Sequence, residues 1–569
     1  MQHRTALLGA VYGAEVASGL SEAVEELLGR HGAAKQAATT SRETSSEPWS
    51  QRSVWLIAYA DHFPEAGHSP IAALDRFIAE RLSDHVDGVH VLPFAPWSSD
   101  GGFSVIDYEA VDPAYGTWDD VESLGRTRPV MFDAVINHLS ADSPWFQQFL
   151  ADDPDYQGFF RTSSPAVDHR EVVRPRTHPL LTPFTKADGE TVHVWTTFSP
   201  DQVDLDYAEP AVLLRVLDVL LGYCQRGAAA IRLDAIGFLW KDEATPSIHL
   251  PQTHQLIQLM RSCIDAVSPG TILISETNVP HAENVSYLGH GARSPEVHAV
   301  YQFPLAPLTA HAVITGDASV LETWAAGIDQ YVGPGRSFLN FLACHDGIGV
   351  RPAEGLLDAQ QLDVLIEACR AAGGHVNERT LADGTTTPYE LNTTWFELLA
   401  ADTTEAVAIE RHLASHAVIL ALPGIAAIYA QSFFGAGNDH ATVASTGHAR
   451  DINRARFTDR AALEAAIDTK GTRTRAIFSG LAALVDKRRQ SAAFHPEAAS
   501  RILTSPDGVF AVERGGRADR ALVIVNLGST PVAITSVLEP IDGWRGIGDA
   551  EPPPALLGPY DSLWLEPGT

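Results

Sequence analysis

An arginine and an aspartate two residues apart, Arg232 and Asp234, close a short apolar run that begins at Ala228. The length and composition of this run predict a strand that is buried on both faces. Residues two apart on a strand share a face, so the Arg232 guanidinium could hold the Asp234 carboxylate ionised and aimed at a ligand. That arrangement suits a nucleophile, although an Arg-x-Asp pair alone is more often an ordinary structural ion pair.

Three further acids, Asp133, Glu276 and Asp346, stand at or just past the ends of other predicted strands, and His138 and His345 accompany them. Each acid alone could be a helix cap or a surface residue, but acids that converge on one mouth are destabilising unless chemistry needs them. Crowding separates their pKa values, which suits glycosyl transfer with retention. An ionised carboxylate attacks the sugar carbon, and a protonated one about 5 Å away protonates the leaving oxygen.

Apolar segments of strand length alternate with helical segments along most of the chain. The predicted strands are Val54–Tyr59, Val89–Phe94, Val130–His138, Ala228–Ile231, Thr271–Glu276, Ala299–Phe303, Phe338–Asp346 and Ile425–Tyr429, and the predicted helices include Ile71–Leu82, Val212–Tyr223 and Gln255–Val267. Eight strands alternating with helices predict an α/β fold, a closed parallel (β/α)8 TIM barrel whose strand ends share one mouth. An open doubly wound sheet is the alternative, but no Gly-x-Gly-x-x-Gly follows Tyr59 or Phe94.

Two loop-inserted subdomains and a C-terminal antiparallel β domain complete the predicted architecture. The insertions, one Pro-rich and strand-poor and one loop-rich, leave the barrel after a strand, where active sites are built, and we expect them to form substrate walls. The predicted order is an N-terminal helical extension and linker (1–52), a first barrel segment (53–138), inserted domain B (139–205), a second barrel segment (206–347), an inserted loop-rich lobe (348–400), a third barrel segment (401–490) and the β domain (491–569). Within the extension, 3–31 predicts helix and Ala33–Gln51 a mobile linker.

The composition excludes several classes of protein. The chain has 569 residues, of which 45% are hydrophobic, and a formal net charge of -31. It can bury a large core, but it lacks the basic surface that nucleic acid or an anionic membrane would require. Four cysteines, at positions 224, 263, 344 and 369, are too few and too scattered for a disulfide framework or a zinc cluster. We therefore expect a cytoplasmic protein with reduced core thiols, no targeting segment and no membrane span; the oligomeric state is not readable.

Four regions taken together resemble, in order and approximate spacing, the four signature regions of the α-amylase clan. They are Asp133-Ala-Val-Ile-Asn-His138, Arg232-Leu-Asp234, Glu276 and His345-Asp346. The resemblance implies that Asp234 is the nucleophile, Glu276 the general acid/base and Asp346 the carboxylate that binds sugar hydroxyls in the transition state. By the same resemblance, Arg232, His138 and His345 complete the sugar subsite. No metal or organic cofactor is expected, because Asp346 faces the oxocarbenium-like charge.

Further stretches narrow the resemblance to the sucrose phosphorylase branch of this clan. They are Ser98–Phe103, Arg174-Pro175-Arg176, His345–Val350 and Arg450–Arg454, so the match extends from about Trp55 into the C-terminal region. The resemblance implies that Asp100, Phe103 and Arg454 hold the glucosyl unit and that Arg174 stands at a phosphate-binding position. Arg174 and Arg176 would offer positive charge to an anion in an otherwise acidic chain. The alternative is that both arginines fix the insertion by salt bridges.

The positions expected to line the acceptor pocket depart from the sucrose phosphorylase pattern. Phe238 replaces a tyrosine, Thr277-Asn278 replaces a Val-His pair, and Tyr389 and Glu390 lie in a loop that reads Pro-Tyr-Glu-Leu-Asn. The Glu276–His281 stretch, Trp240-Lys241 and the helical extension are more similar to the glucosylglycerate phosphorylases. The resemblance thus implies reversible phosphorolysis of 2-O-α-D-glucosylglycerate to α-D-glucose 1-phosphate and D-glycerate, with these small molecules as partners.

Two other functions stay open. The nearer one is a phosphorylase of sucrose, sucrose 6-phosphate or glucosylglycerol. The more distant one is a non-catalytic binding protein with the amylase fold, although such proteins usually lack one of the three acids that are present here. If the Arg174 pocket takes the glycerate carboxylate and then phosphate, Arg174→Ala should reduce phosphorolysis far more than hydrolysis.

Overall fold

Eight parallel strands form a closed barrel in the computed structural model, which describes residues 1–37, 48–291, 294–517, 519–537, 543–548 and 551–568. In chain order, the strands of the barrel, the inserted lobes and the C-terminal domain are β1 (Val54–Ala58), β2 (Gly88–Val91), β3 (Val130–Ala134), β4 (His138–Ser140), β5 (Leu181–Thr185), β6 (Thr191–Trp195), β7 (Gln202–Asp204), β8 (Ala230–Leu233), β9 (Ile272–Ser275), β10 (Ala299–Tyr301), β11 (Ser337–Asn340), β12 (Ile348–Gly349), β13 (His375–Thr380), β14 (Thr386–Asn392), β15 (Ile425–Tyr429), β16 (Ser500–Ile502), β17 (Val509–Arg514), β18 (Ala521–Asn526), β19 (Val532–Ala533), β20 (Trp544–Gly546), β21 (Leu556–Leu557) and β22 (Ser562–Pro567). The barrel order β1-β15-β11-β10-β9-β8-β3-β2 confirms the predicted TIM barrel.

The helices form the outer layer of the barrel, the N-terminal extension and parts of the inserted lobes. They are α1 (Gln2–Tyr12), α2 (Ala14–Ala37), α3 (Pro70–Phe77), α4 (Trp118–Thr127), α5 (Pro144–Leu150), α6 (Pro210–Gln225), α7 (Pro251–Val267), α8 (His281–Val285), α9 (Leu305–Thr315), α10 (Ser319–Ala325), α11 (Ala359–Ala371), α12 (Trp395–Ala400), α13 (Glu405–Ala421), α14 (Ala430–Phe434), α15 (His440–Thr446), α16 (Arg460–Asp468) and α17 (Arg473–Arg489). Several begin with proline, whose fixed φ suits the first helical position. In the described residues, no helix combines the length and apolar character needed to cross a bilayer.

The strand that was predicted over Phe338–Asp346 is wrong beyond Asn340, because β11 ends there and the chain turns across the barrel mouth. Side chains, and not a neighbouring strand, then bind its carbonyl groups. Asn453 Nδ2 donates to the carbonyl oxygens of Cys344 and Asp346 at 3.3 and 2.7 Å, and Arg454 Nε donates to that of His345 at 2.8 Å. Asp346 therefore reaches the mouth on a loop that side-chain bonds hold in place.

Both inserted lobes contain more sheet than predicted. Residues 139–205, predicted to be strand-poor, contain the hairpin of β5 with β6, and β7 pairs with β4. Residues 348–400, predicted to be loop-rich, contain α11, α12 and a three-stranded antiparallel sheet in the order β12-β14-β13. The strand β14 has a polar first half and a buried second half, a pattern that only its pairing with β12 and β13 explains.

The N-terminal extension is a pair of helices that packs on the outside of the barrel. Arg4 Nη1 donates to Ser262 Oγ of α7 at 3.3 Å, and His31 lies 2.6 Å from Asp218 of α6. The Tyr12 hydroxyl donates to the carbonyl of Tyr207 at 2.9 Å. Helix α2 continues past the predicted helix end to Ala37. Most of the linker predicted over Ala33–Gln51 lies outside the described residues.

A small antiparallel β domain follows α17, as predicted, with a five-stranded sheet in the order β16-β17-β18-β22-β20. Its buried Arg514 attaches it to the barrel: Nη1 donates to the carbonyl of Ala421, the last residue of α13, at 2.6 Å. Nη2 donates to the carbonyls of His495 and Ala498 at 2.9 and 3.1 Å. The guanidinium thus binds a carbonyl that the helix end leaves without an intrahelical partner.

Replacing Arg514 by methionine is expected to lower the free energy of unfolding by roughly 3 kcal/mol, because buried carbonyl groups lose their donor. Urea denaturation followed by circular dichroism measures this. Arg501→Met is the matched control, since Arg501 lies on the adjacent strand β16 with its side chain 66% exposed and pairs with the partly exposed Glu513 at 3.2 Å. An equal loss in both variants would contradict the interpretation.

Candidate active site

A cavity lies at the carboxyl end of the barrel strands, between the two inserted lobes. The predicted site residues that line it are Asp100, Phe103, His138, Arg176, Asp234, Phe238, Glu276, His345, Asp346 and Tyr389. Three others, Arg232, Glu390 and Arg454, contact lining residues from behind, through Asp234, Arg450 and Asp100. The barrel topology thus brings residues that are far apart in the chain to one place.

Neighbouring strands carry a row of buried, hydrogen-bonded polar side chains beneath the cavity. His90 Nε2 lies 2.7 Å from Asp133 Oδ2, and Arg232 Nη1 donates to Asp133 Oδ1 at 2.5 Å and to Asp234 Oδ1 at 2.8 Å. Asp133 and Arg232 are direct register partners of β3 and β8. The contact with Asp133 orients the Arg232 guanidinium. The guanidinium in turn hydrogen-bonds Oδ1 of Asp234, so Oδ2 is the oxygen that Arg232 does not hold. The Arg-x-Asp pair of the sequence is therefore an ion pair at a cavity wall.

Glu276 approaches the same guanidinium from β9. Its Oε2 lies 3.8 Å from Arg232 Nη2 and accepts a hydrogen bond from the backbone N–H of Ala235 at 2.9 Å. Ala235 has a left-handed φ of 49°, which is uncommon for alanine and turns this N–H toward the carboxyl group. Asp234 and Glu276 are thus held on the two ends of one guanidinium, with Glu276 the more weakly bound.

Burial dominates the electrostatics of this pair. It raises the pKa of Asp234 well above the ordinary value; the Arg232 guanidinium opposes this shift, and Glu276 adds to it. Burial likewise raises the pKa of Glu276, against the effect of Arg232 and with the help of Asp346. Two carboxyl groups in this environment resist losing both protons. The site can therefore hold one carboxylate and one carboxylic acid near neutral pH.

The third acid, Asp346, belongs to a network organised by Arg450. Arg450 Nη1 lies 2.6 Å from Asp346 Oδ1 and 3.6 Å from Asp100 Oδ2, while Nε and Nη2 bind both oxygens of Glu390 at 2.9 and 2.8 Å. Arg454 also donates to Asp100, at 3.2 Å. Burial alone would raise the pKa of Asp100, but Arg450 and Arg454 outweigh it and lower that pKa below the ordinary value. Asp100 and Asp346 can thus present carboxylate oxygens to sugar hydroxyl groups.

Aromatic rings form the floor of the cavity. Phe103 and His345 stack with ring centroids 4.3 Å apart and an interplanar angle of 3°. His138 Nε2 lies 3.0 Å from the carbonyl oxygen of Phe103. Burial lowers the pKa of both histidines, so both are neutral imidazoles near pH 7. Flat, neutral rings that keep a polar edge suit the mixed apolar and hydroxylated faces of a sugar.

The outer region of the cavity has aromatic and cationic walls. The Arg176 guanidinium lies 5.8 Å from the ring centre of Phe198 and 5.3 Å from that of Tyr389, and Phe198 meets Phe238 edge to face at 5.4 Å. Arg174 is not among the cavity-lining residues. Its Nη2 donates to the carbonyl of His178, and its side chain lines a separate cleft between the inserted lobes. Of the two arginines, the structure brings Arg176 to the site.

Comparison with known proteins agrees with this geometry. The α-amylase catalytic-domain family matches residues 85–331. A glucosylglycerate phosphorylase from Allomeiothermus silvanus is 44% identical over 521 residues, which are 91% of this chain and 91% of that protein. The chain belongs to the glycoside phosphorylases of the α-amylase family. More distant is a sucrose phosphorylase from Agrobacterium vitis, at 30% identity over 72% of this chain and 83% of that protein.

The fold of this glycoside phosphorylase is shared by solved structures. The crystal structure of sucrose 6F-phosphate phosphorylase from Thermoanaerobacter thermosaccharolyticum superimposes with a TM-score of 0.73 at 24% sequence identity. The alignment covers 86% of this chain and 96% of that chain. The likeness therefore includes the barrel and extends well beyond it.

Sequence reasoning missed two arginines of this glycoside phosphorylase. Arg450 opens the Arg450–Arg454 motif, but no role was predicted for it, yet it binds Asp346 and Glu390. Arg351 lines the cavity, two residues after β12, and no role was predicted for it either. Its position five residues after the predicted strand Phe338–Asp346, which leads to the barrel mouth, was a usable signal for Arg351. No local pattern reveals the contacts of Arg450, because its partners are distant in the chain.

Proposed function

We propose that this chain catalyses the reversible phosphorolysis of 2-O-α-D-glucosylglycerate to α-D-glucose 1-phosphate and D-glycerate, with retention of configuration. The single observation that carries the proposal is the pair Asp234 and Glu276, which approach one guanidinium from two sides at the wall of the cavity. The 44% identity with a glucosylglycerate phosphorylase supports the choice of substrate. A retaining enzyme needs two carboxyl groups close together, one ionised and one protonated.

In the first half-reaction, Asp234 acts as the nucleophile. Burial raises the pKa of both acids, and that of Asp234 the more, but only Asp234 receives a hydrogen bond from Arg232, at 2.8 Å against a distance of 3.8 Å to Glu276. On this geometry we place the negative charge on Asp234 and the proton on Glu276. Asp234 Oδ2 attacks the anomeric carbon while the bond to the glycerate oxygen breaks. Glu276 passes its proton to that oxygen, giving glycerate and a β-glucosyl ester of Asp234. Its Oε2 accepts from the Ala235 N–H, so Oε1 is the proton-bearing oxygen.

In the second half-reaction, phosphate attacks the anomeric carbon and breaks the ester. The Glu276 carboxylate takes the proton of the attacking phosphate oxygen, which restores the starting state and releases α-D-glucose 1-phosphate. Phosphate arrives anionic and needs positive charge more than a base. We place phosphate against Arg176, which lines the cavity. Arg174, for which the sequence predicts a phosphate-binding position, contributes less directly in this proposal, because its side chain lines a separate cleft.

The direct test is to incubate the protein with glucosylglycerate and phosphate and to measure glucose 1-phosphate with phosphoglucomutase coupling. We expect phosphate-dependent formation of glucose 1-phosphate that is much faster than release of free glucose. Sucrose, sucrose 6-phosphate and glucosylglycerol serve as matched substrates. Faster turnover of any of these would replace the proposed acceptor, and no turnover of any glucoside would favour a binding protein.

A cytoplasmic setting belongs to the proposal. All four cysteines are buried in the core, as suits a reducing compartment. Burial raises the pKa of the Cys344 thiol well above the ordinary value, which keeps it protonated beside the catalytic loop and argues against thiol catalysis.

A further inference from the structure

Arg351 is a buried cation that lines the cavity, next to the backbone of Tyr389. Only 7% of its surface is exposed, yet its closest carboxylate partner, Glu283 Oε2, lies 3.8 Å away and is 44% exposed. Its Nε is buried and has no hydrogen-bond partner. A buried guanidinium normally binds its carboxylates closely, because an unpaired charge is costly to bury.

Arg450, which lines the same cavity, shows the contrast. Its charge is offset by Asp346 at 2.6 Å and by both oxygens of Glu390 at 2.9 and 2.8 Å. The glucose end of the cavity is therefore balanced, with acids and bases in direct contact. The acceptor end, where Arg351 lies, has a cation with donor capacity left over and no acid in close contact among the described residues.

The backbone around Arg351 is firmly held. The N–H of Val350 donates to the carbonyl of Tyr389 at 3.0 Å, and Arg351 itself opens a short 3-10 turn, Arg351–Ala353, whose second residue is Pro352. Gly349 packs so closely on the loop that carries Glu276 that an added Cβ would lie 2.5 Å from Asn278 Oδ1. The lobe that carries Arg351 is thus fixed relative to the general acid, and little side-chain freedom is lost when an anion binds.

We propose that Arg351 is the specificity-determining residue that binds the carboxylate of the acceptor. The inference rests on the proposed function and adds to it which residue distinguishes glycerate from neutral acceptors. A guanidinium binds a carboxylate through two parallel N–H···O bonds, which selects planar anions over hydroxyl groups. Leaving glycerate and entering phosphate approach the same face of the anomeric carbon, so Arg351 also contacts phosphate, together with Arg176, which lines the same cavity.

Transfer from glucose 1-phosphate to D-glycerate or to glycerol tests this. Glycerol carries a hydroxymethyl group where glycerate carries its carboxylate, so it reports the same pocket without the charge. Arg351→Gln is expected to raise the KM for glycerate on the order of 10²-fold, as the loss of a charge-assisted bond implies. The KM for phosphate should rise with it, and the KM for glycerol should change little. Arg351→Lys should recover some of the glycerate affinity.

The matched control is Arg379→Gln. Arg379 lies in the same lobe, pairs with Glu354 at 2.8 Å and does not line the cavity, so all three KM values should stay unchanged. If Arg351→Gln keeps the preference for glycerate over glycerol, or loses both acceptors equally, the inference is overturned while the proposed function stands. If the unaltered protein itself shows no preference for glycerate, the proposed function fails and this inference with it.

Discussion

Replacing Asp234 by asparagine is expected to reduce turnover of glucosylglycerate by about 10⁴-fold or more, in line with the loss of other catalytic nucleophiles. The amide keeps the size of the side chain and can still contact Arg232, which lies 2.8 Å from Oδ1 in the native protein. It cannot form the ester. The measurement is intact-mass spectrometry of protein quenched in acid during turnover, which should show a glucosyl adduct on the native protein and none on the variant.

Asp218→Asn provides the control for this prediction. Asp218 lies on α6, contacts His31 of the N-terminal extension at 2.6 Å and is remote from the cavity-lining residues. This variant should keep both turnover and the adduct. Substantial turnover by the Asp234 variant, or an adduct that maps to another peptide, would show that the nucleophile has been misassigned.

Replacing Glu276 by glutamine is expected to reduce turnover of glucosylglycerate by roughly 10²–10⁴-fold, because the leaving glycerate oxygen then lacks a proton donor. α-D-Glucosyl fluoride separates this role from binding, since fluoride departs without a proton. With that donor and phosphate, the variant should form glucose 1-phosphate within about tenfold of the native rate. Equal losses on both donors would assign Glu276 a structural role.

The same residue predicts a pH dependence. Burial raises the pKa of Glu276, so its acid form persists to higher pH than that of an ordinary glutamic acid. Turnover of glucosylglycerate should then fall as the pH rises through this elevated pKa. With glucosyl fluoride this alkaline decline should be absent, since the proton is not needed. An identical decline for both donors would assign the titration to another group.

The barrel and its catalytic face follow from local sequence patterns. The apolar run Ile425–Tyr429 is a strand with the predicted bounds, and Asp133 and Asp234 stand at neighbouring strand ends as alternation required. Strands buried on both faces are continuous apolar runs, which a single sequence displays directly. Because the barrel is parallel and closed, the carboxyl ends of all its strands meet at one mouth, and no further sequence signal is needed to predict this.

The sheets of the inserted lobes, and the residues that contact the cavity wall from behind, could not be predicted in this way. Strand β12 pairs with β14, which lies far along the chain, and the short length of β12 carries no periodic signal. The ion pairs of Arg450 with Asp346 and Glu390 join segments that only tertiary packing brings together. Arg174 and Arg176 read alike in sequence, since each flanks the same proline, yet Arg176 alone of the two lines the cavity.

The placement of Arg176 between Phe198 of one lobe and Tyr389 of the other has a consequence for the fate of the covalent intermediate. In the proposed mechanism, glycerate departs and phosphate arrives while the sugar stays bound as an ester, and both anions pass the positive charge of Arg176 between the lobes. That charge attracts anions and not neutral water. In this mechanism Arg176 therefore favours phosphate transfer over hydrolysis of the intermediate already at the entrance to the cavity.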